Sequence, residues 1–144
     1  MLPPAQATAY AARQREADVL ARTLWGEARG EGEAGMQAVA AVIVNRARRP
    51  GWWGRGISAV CLQPWQFSCW NEGDPNRAAL SQVDADDPAF RSALRIARLA
   101  LAGVLPDPTM GATHYHALGM QPRWAAGHAP AATIGRHVFY NSIA

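Results

Sequence analysis

Apolar residues recur at helical spacing in three stretches. Val19, Leu20, Thr23, Leu24 and Ala28 predict a helix over 13–28. Met36, Val39, Ala40, Ile43, Val44 and Ala47 fall at i, i+3, i+4, i+7, i+8 and i+11, the amphipathic stripe of a second helix over 34–48. Arg46, Arg48 and Arg49 crowd its end, where cations suit the helix dipole, and Pro50-Gly51 stops it. Phe90, Leu94, Ala97 and Leu101 line a third helix over 87–103, with Arg91, Arg95 and Arg98 on another face. Asp86 or Asp87 suits its cap, Pro88 its first position and Gly103 its end. Residues 1–12, alanine-rich with two early prolines, read as a loosely held N-terminal arm before a single domain over 13–144.

Elsewhere the period changes. Ile57 to Leu62 is a short apolar piece, helical or irregular. Trp65-Gln66-Phe67-Ser68-Cys69-Trp70 alternates like a strand, and Asn71 to Asn76 reads as a turn or loop. After Pro106-Asp107-Pro108, the segments Ala112–Ala117 and Ile134–Tyr140 are strand-like, separated by a loop with Trp124 and His128. Helices first and short strands later make the fold class α+β.

Composition narrows the picture. A chain of 144 residues with 49% hydrophobic and 17% charged positions can build one packed domain and is not disordered. No apolar run approaches a membrane span. Met1-Leu2-Pro3-Pro4 has neither a basic nor an apolar leader region, so it does not read as a secretory signal. The 14 basic residues are all arginine, a habit that a GC-rich coding sequence explains. A net charge of +3 suggests an anionic partner but is too mild to indicate nucleic acid. Six tryptophans are many for this length. Trp serves a core, an interface or a ligand with flat apolar faces, such as a sugar. Trp52-Trp53 lies between glycines, in a loop where burial of both rings is not expected. Cys61 and Cys69 have neither redox nor zinc spacing; a disulfide and two buried thiols both fit.

The densest chemistry lies between Trp25 and Glu33, where Glu27, Glu31 and Glu33 surround Arg29. Glu27 falls at the C-terminal end of an apolar helix, beside a tryptophan. The negative end of the dipole and a hydrophobic neighbour both raise a carboxyl pKa, as general-acid work near neutral pH requires. The plainer reading is a charged loop whose acids pair with Arg29. His114 and His116 share a strand face, and with His137 or His128 they offer a three-histidine zinc site. They equally suit hydrogen-bonded positions lining a groove. Cys69 lacks the setting of a nucleophile, and no G-x-S-x-G or phosphate-binding glycine loop occurs.

The run Leu20-Ala21-Arg22-Thr23-Leu24-Trp25-Gly26-Glu27-Ala28-Arg29-Gly30-Glu31 resembles the signature of SleB-type cell wall hydrolases, the spore cortex-lytic enzymes and their relatives. Gly35–Ala40 leading to Val44-Asn45-Arg46, then Gln66-Phe67-Ser68, Pro108–His116 and Gly135–Tyr140 agree in order and spacing. The resemblance covers about residues 18–141. It implies a lysozyme-like domain, mainly helical with a small antiparallel sheet, related to lytic transglycosylases. It implies cleavage of the β-1,4 bond between N-acetylmuramic acid and N-acetylglucosamine, with Glu27 as the one catalytic glutamate. Gln66, Phe67, Ser68, Tyr115, His116 and Trp124 resemble the family's recurrent polar and aromatic positions and are expected in the substrate groove. Glu31 and Asp74 are candidate second acids for a hydrolytic variant, and Asn45 is expected to be structural.

No cofactor or metal is implied, and the expected partner is the peptidoglycan glycan strand, engaged by a monomer without nucleic acid or membrane insertion. The expected place of action is the cell wall or periplasm. Without a visible signal peptide, a phage or gene-transfer-agent endolysin, released through a holin or carried on a particle, fits. Two alternatives stay open: a zinc-dependent N-acetylmuramoyl-L-alanine amidase built on His114, His116 and His137, and a non-catalytic wall-binding module.

Overall fold

Seven buried positions of one helix decide where the core lies. Met36 and the run Ala38 to Ile43 are buried, so this helix is covered on nearly every side. It is α2 (Gly32–Arg48), in a computed structural model that describes all 144 residues. Around it stand α1 (Pro4–Ala28), α3 (Ile57–Leu62), α4 (Pro75–Gln82) and α5 (Pro88–Leu101). α1, α2 and α5 pack against one another. Leu20 and Leu24 of α1, Met36, Val39 and Ile43 of α2, and Phe90 and Ile96 of α5 meet in one cluster. Each such side chain contributes about 1.5–3 kcal/mol on burial.

The three periodic stretches form the three main helices. Arg91, Arg95 and Arg98 lie exposed on α5, opposite its buried Phe90, Ala93 and Ala97. Asp87 caps α5, accepting from the Phe90 amide at 2.9 Å, and Pro88 takes its first turn. The expected start of the first helix at 13 moves to Pro4, and residues 4–12, read as a loose arm, are exposed turns of α1. Alanine's helix propensity and a proline at the first position suffice to extend the helix without a buried stripe.

One further expectation is corrected, and one helix is added. Trp65 to Trp70 is not a strand: Trp65 has φ +68°, and Ser68–Trp70 forms a 3-10 turn. The apparent alternation comes from Phe67 and Cys69 pointing into the core. α4 went unread because only Leu80 of it is buried, although Asp74 caps it by accepting from the Asn76 amide at 2.8 Å.

The remaining strands form one antiparallel sheet in the order β1-β3-β2: β1 (His114–Ala117), β2 (Ala132–Ile134) and β3 (His137–Tyr140). Tyr115 faces Phe139 across β1 and β3, and Ile134 faces His137 across β2 and β3. The single expected strand over 134–140 is therefore folded at Gly135-Arg136, where Gly135 takes φ +56° in a two-residue hairpin turn. Phe139 and Ala112 pack on Ala38 and Val42, which fastens the sheet to α2. Arg46 and Asn45 complete that joint through Thr113 O at 2.7 Å and Ala112 O at 2.9 Å. Asn45 thus holds the structural place expected of it.

Of the Trp52-Trp53 pair, Trp53 is buried and donates from Nε1 to Arg46 O and Arg49 O, capping α2, while Trp52 stays exposed. Replacing Asp87 by Ala is expected to cost about 1 kcal/mol, the usual loss of an N-cap. Denaturant unfolding of that variant, with its m-value unchanged, checks this.

Candidate active site

Glu27 lies in the last turn of α1 and is half-buried. The next backbone to reach it is the 3-10 turn Ser68–Trp70, which lies directly on Gly26. A Cβ at Gly26 would stand 2.7 Å from Cys69 Cβ and 2.8 Å from its Sγ, so only glycine admits this approach. The amides of Ser68 and Cys69 and the Cys69 thiol consequently face the Glu27 carboxyl. Burial raises the Glu27 pKa, and the nearby Asp74 charge adds to the rise. The hydrogen bonds from Cys69 and Ser68 oppose it, and burial prevails.

Arg29 does not neutralise this carboxyl. Its guanidinium stacks over Trp25, 4.0 Å from the ring centre, and bonds Asn76 Oδ1 at 2.9 Å and Trp25 O at 3.0 Å. The other two glutamates of the segment are also occupied. Glu33 pairs with Arg95 at 2.8 Å and accepts from Ser92 at 2.9 Å. Glu31 accepts from the Arg136 amide at 2.7 Å and stands 3.7 Å from the Arg136 guanidinium. Glu31 thus ties the α1–α2 junction to the β2–β3 turn. Gly35 makes room for it: a Cβ there would collide with Glu31 Cβ.

Glu27 opens into a hollow of about 360 Å³ shared with Glu31, Ala117, Arg136 and His137. A second hollow, of about 580 Å³, is lined by Arg46, Trp52, Trp65, Gln66, Tyr115 and Trp124 among others. Tyr115 lines one hollow and Ala117 the other; they share a face of β1, so the strand runs from one hollow to the other. The Tyr115 ring lies 5.0 Å from that of His137 and is stacked on Phe139. Burial, first, and the Glu27 charge, second, hold its hydroxyl protonated.

The expected groove residues divide. Gln66, Tyr115 and Trp124 line the large hollow, and so does Phe67, although its ring is mostly buried in the core. Ser68 is exposed and approaches the site through its amide. His116 points elsewhere. It bonds Tyr140 OH at 2.9 Å and lines a separate depression with Pro122 and Arg123. Asp74, a candidate second acid, is held as the cap of α4.

The histidines do not converge. His114 Nδ1 lies 3.0 Å from Thr113 Oγ1, and His116 is bonded as above. No three His, Cys, Asp or Glu side chains stand together as a metal-ligand group. His137 carries a buried Nδ1 with no partner, beside the Glu27 hollow. Cys61 and Cys69 are buried free thiols, and burial pushes Cys61 up to about 12. Reading the sequence missed Arg46, Trp52 and Trp65 as site-lining residues, and weighed His137 within a histidine set rather than beside Glu27. Trp52 lay in a segment read as an exposed loop, and that exposure was the one available signal.

The architecture is that of a SleB-like catalytic domain. The catalytic domain of the germination-specific lytic transglycosylase SleB from Bacillus anthracis superposes with a TM-score of 0.66 at 27% identity, covering 88% of this chain and 94% of that one. The Bacillus cereus SleB catalytic domain gives 0.66 at 25% identity, with 88% and 90% covered. Residues 30–140 match the Cell Wall Hydrolase family, and this chain belongs to that family. The spore cortex-lytic enzyme of Halalkalibacterium halodurans is 33% identical over 124 residues, which is 85% of this chain. The chain matches about a third of that relative's length, 34%. Glu27 lies just before the segment matched to the family.

Two predictions follow from the packing around Glu27. Gly26→Ala displaces Cys69 and misplaces the carboxyl, and lysis of purified peptidoglycan should fall by about 100-fold, the effect of a shift near 1 Å. A turbidity assay measures it. The raised Glu27 pKa also sets a sign for stability. The folded state favours the protonated carboxyl, so its contribution is full below the unfolded value, 4.5, and is lost as pH rises through the folded value. Glu27→Gln should therefore melt higher than the parent at pH 7, with the difference closing as pH falls below about 4.5. Calorimetry across pH reads this directly.

Proposed function

We propose that this domain is a lytic transglycosylase that cuts the β-1,4 bond between N-acetylmuramic acid and N-acetylglucosamine in peptidoglycan, with Glu27 as its single acid–base group. One observation carries the reading. Glu27 is a half-buried carboxyl with a raised pKa, opening into a hollow, while the neighbouring acids Glu31 and Asp74 are held by Arg136 and by the cap of α4. The family membership and the names of the similar structures support the same substrate.

The steps follow from the site. Protonated Glu27 gives its proton to the glycosidic oxygen as that bond breaks and the muramic ring becomes oxocarbenium-like. The resulting carboxylate is stabilised by the Ser68 and Cys69 amides and the Cys69 thiol. It then takes the proton of the muramic 6-hydroxyl as that oxygen bonds C1, closing a 1,6-anhydro ring and returning Glu27 to its acid form. No second carboxylate acts as nucleophile. Gln66, Tyr115 and Trp124 hold the strand along β1, and Phe67 and Ser68 shape the turn beside it. His116 serves as a support for Tyr140 and Trp124 rather than as a sugar contact.

The partner is the glycan strand, and no helix is long and apolar enough to cross a membrane. A wall substrate places the work outside the cytoplasm, in the wall or periplasm. Entry through a holin or on a phage-like particle, and action as a monomer, are the further parts of this reading.

Mass spectrometry of the released muropeptides tests it. Anhydromuramic ends are expected, and Glu27→Gln should lower their formation by about 10²–10⁴-fold while the protein stays folded. Reducing muramic ends would make the enzyme a hydrolase. Free peptide stems with intact glycan would overturn the reading in favour of an amidase.

A further inference from the structure

We propose that the hollow around Arg46 is a second binding site, which takes a carboxylate of the substrate while the adjoining sugar ring stacks on Trp65. The inference rests on the peptidoglycan reading above and names the part of the substrate that this hollow selects.

Arg46 is only 6% exposed, yet it has no counter-ion. Its Nε donates to Thr113 O at 2.7 Å and its Nη1 to Gln66 Oε1 at 3.4 Å, and none of the protein's ion pairs includes it. The rings of Trp53, Phe67 and Trp52 surround the guanidinium at 5.3, 5.9 and 6.0 Å. Aromatic faces attract a cation without neutralising it. A buried charge without a partner is costly, and a ligand of opposite charge removes that cost.

The other side chains lining the hollow supply no negative charge. Burial and the Arg46 charge bring His114 down to about 4, so it is neutral, and the Tyr115 hydroxyl stays protonated. Ile143 and Ala144 form one edge and make no ion pair with Arg46. What remains is one positive fork in a space of about 580 Å³, the range of small-ligand sites. The planar guanidinium matches a carboxylate in geometry.

Trp65 adds a second observation. It is 82% exposed at the mouth of this hollow and sits at φ +68°, a backbone state that bulky side chains rarely adopt. Trp52, at 57%, stands exposed on the same wall. These are apolar faces held in water beside a buried cation. A muramyl unit has the matching pair of features: a sugar face, and a carboxylate on its lactyl group when bare or on the stem peptide when substituted.

The test is calorimetric titration of the Glu27→Gln protein with four uncleaved ligands. They are chitotetraose, a bare N-acetylglucosamine–N-acetylmuramic acid tetrasaccharide, the same tetrasaccharide carrying stem peptides, and its form with every stem carboxylate amidated. Carboxylate-bearing ligands should bind about tenfold or more tightly than chitotetraose, the scale of a hydrogen bond to a charged group. The bare and peptide-bearing forms tell the lactyl from the stem source. Arg46→Met in the same background should erase the preference, Arg46→Lys should keep part of it, and Trp65→Ala should weaken all ligands alike. If Arg46→Met does not fold, the ligand comparison in the Glu27→Gln protein decides alone. Equal affinity for chitotetraose and the carboxylate forms overturns this proposal and leaves the glycan reading standing. Absence of binding to all four overturns both.

Discussion

At Gly26 two separate elements, α1 and the Ser68–Trp70 turn, meet so closely that any side chain there would collide with Cys69. Because position 26 has no side chain, the Ser68–Trp70 turn rests on the last turn of α1, and its amides reach the Glu27 carboxyl. The same contact buries that carboxyl enough for desolvation to outweigh those hydrogen bonds. Leu80 of α4 closes in from the side, at 3.3 Å from where a Cβ would be, so α4 too is positioned by this gap. One missing methyl therefore governs both where the acid sits and how readily it holds a proton.

A second joint fixes the opposite wall. Glu31, made room for by Gly35, holds the β2–β3 turn through the Arg136 amide, and Phe139 packs beneath on α2. The sheet is thereby held from its tip and from its underside. β1 is left with Tyr115 and Ala117 facing the two hollows. The electrostatics of those hollows differ. One is framed by Glu27 and Glu31 together with Arg136, while the other holds the lone Arg46 among aromatic rings. The face of β1 thus runs from an acid at one end to a cation at the other.

The legible parts of this protein are those where side-chain period and local chemistry agree. The stripe from Met36 to Ala47 could be nothing but a helix with a buried face, and Asp87-Pro88 marks a helix start by itself. Where the period came from the tertiary environment, reading failed. Phe67 and Cys69 alternate because both turn into the core from an irregular segment, not because a strand pairs there. α4 was invisible because one buried Leu80 makes no stripe. For a related reason the sequence does not show that His116 lies against Tyr140 and Pro122 while His114, two residues away, lines the large hollow.

The sequence by itself determined the three main helices, the α+β class, and a glutamate at a helix end beside Trp25, since these depend on neighbours within a few residues. Tertiary structure alone decided what each charged group meets. Glu27 meets the Ser68–Trp70 turn, Glu31 meets Arg136, and Arg46 meets no acid at all. Those partners lie far apart along the chain, and charge and burial act through space, so no local pattern encodes them.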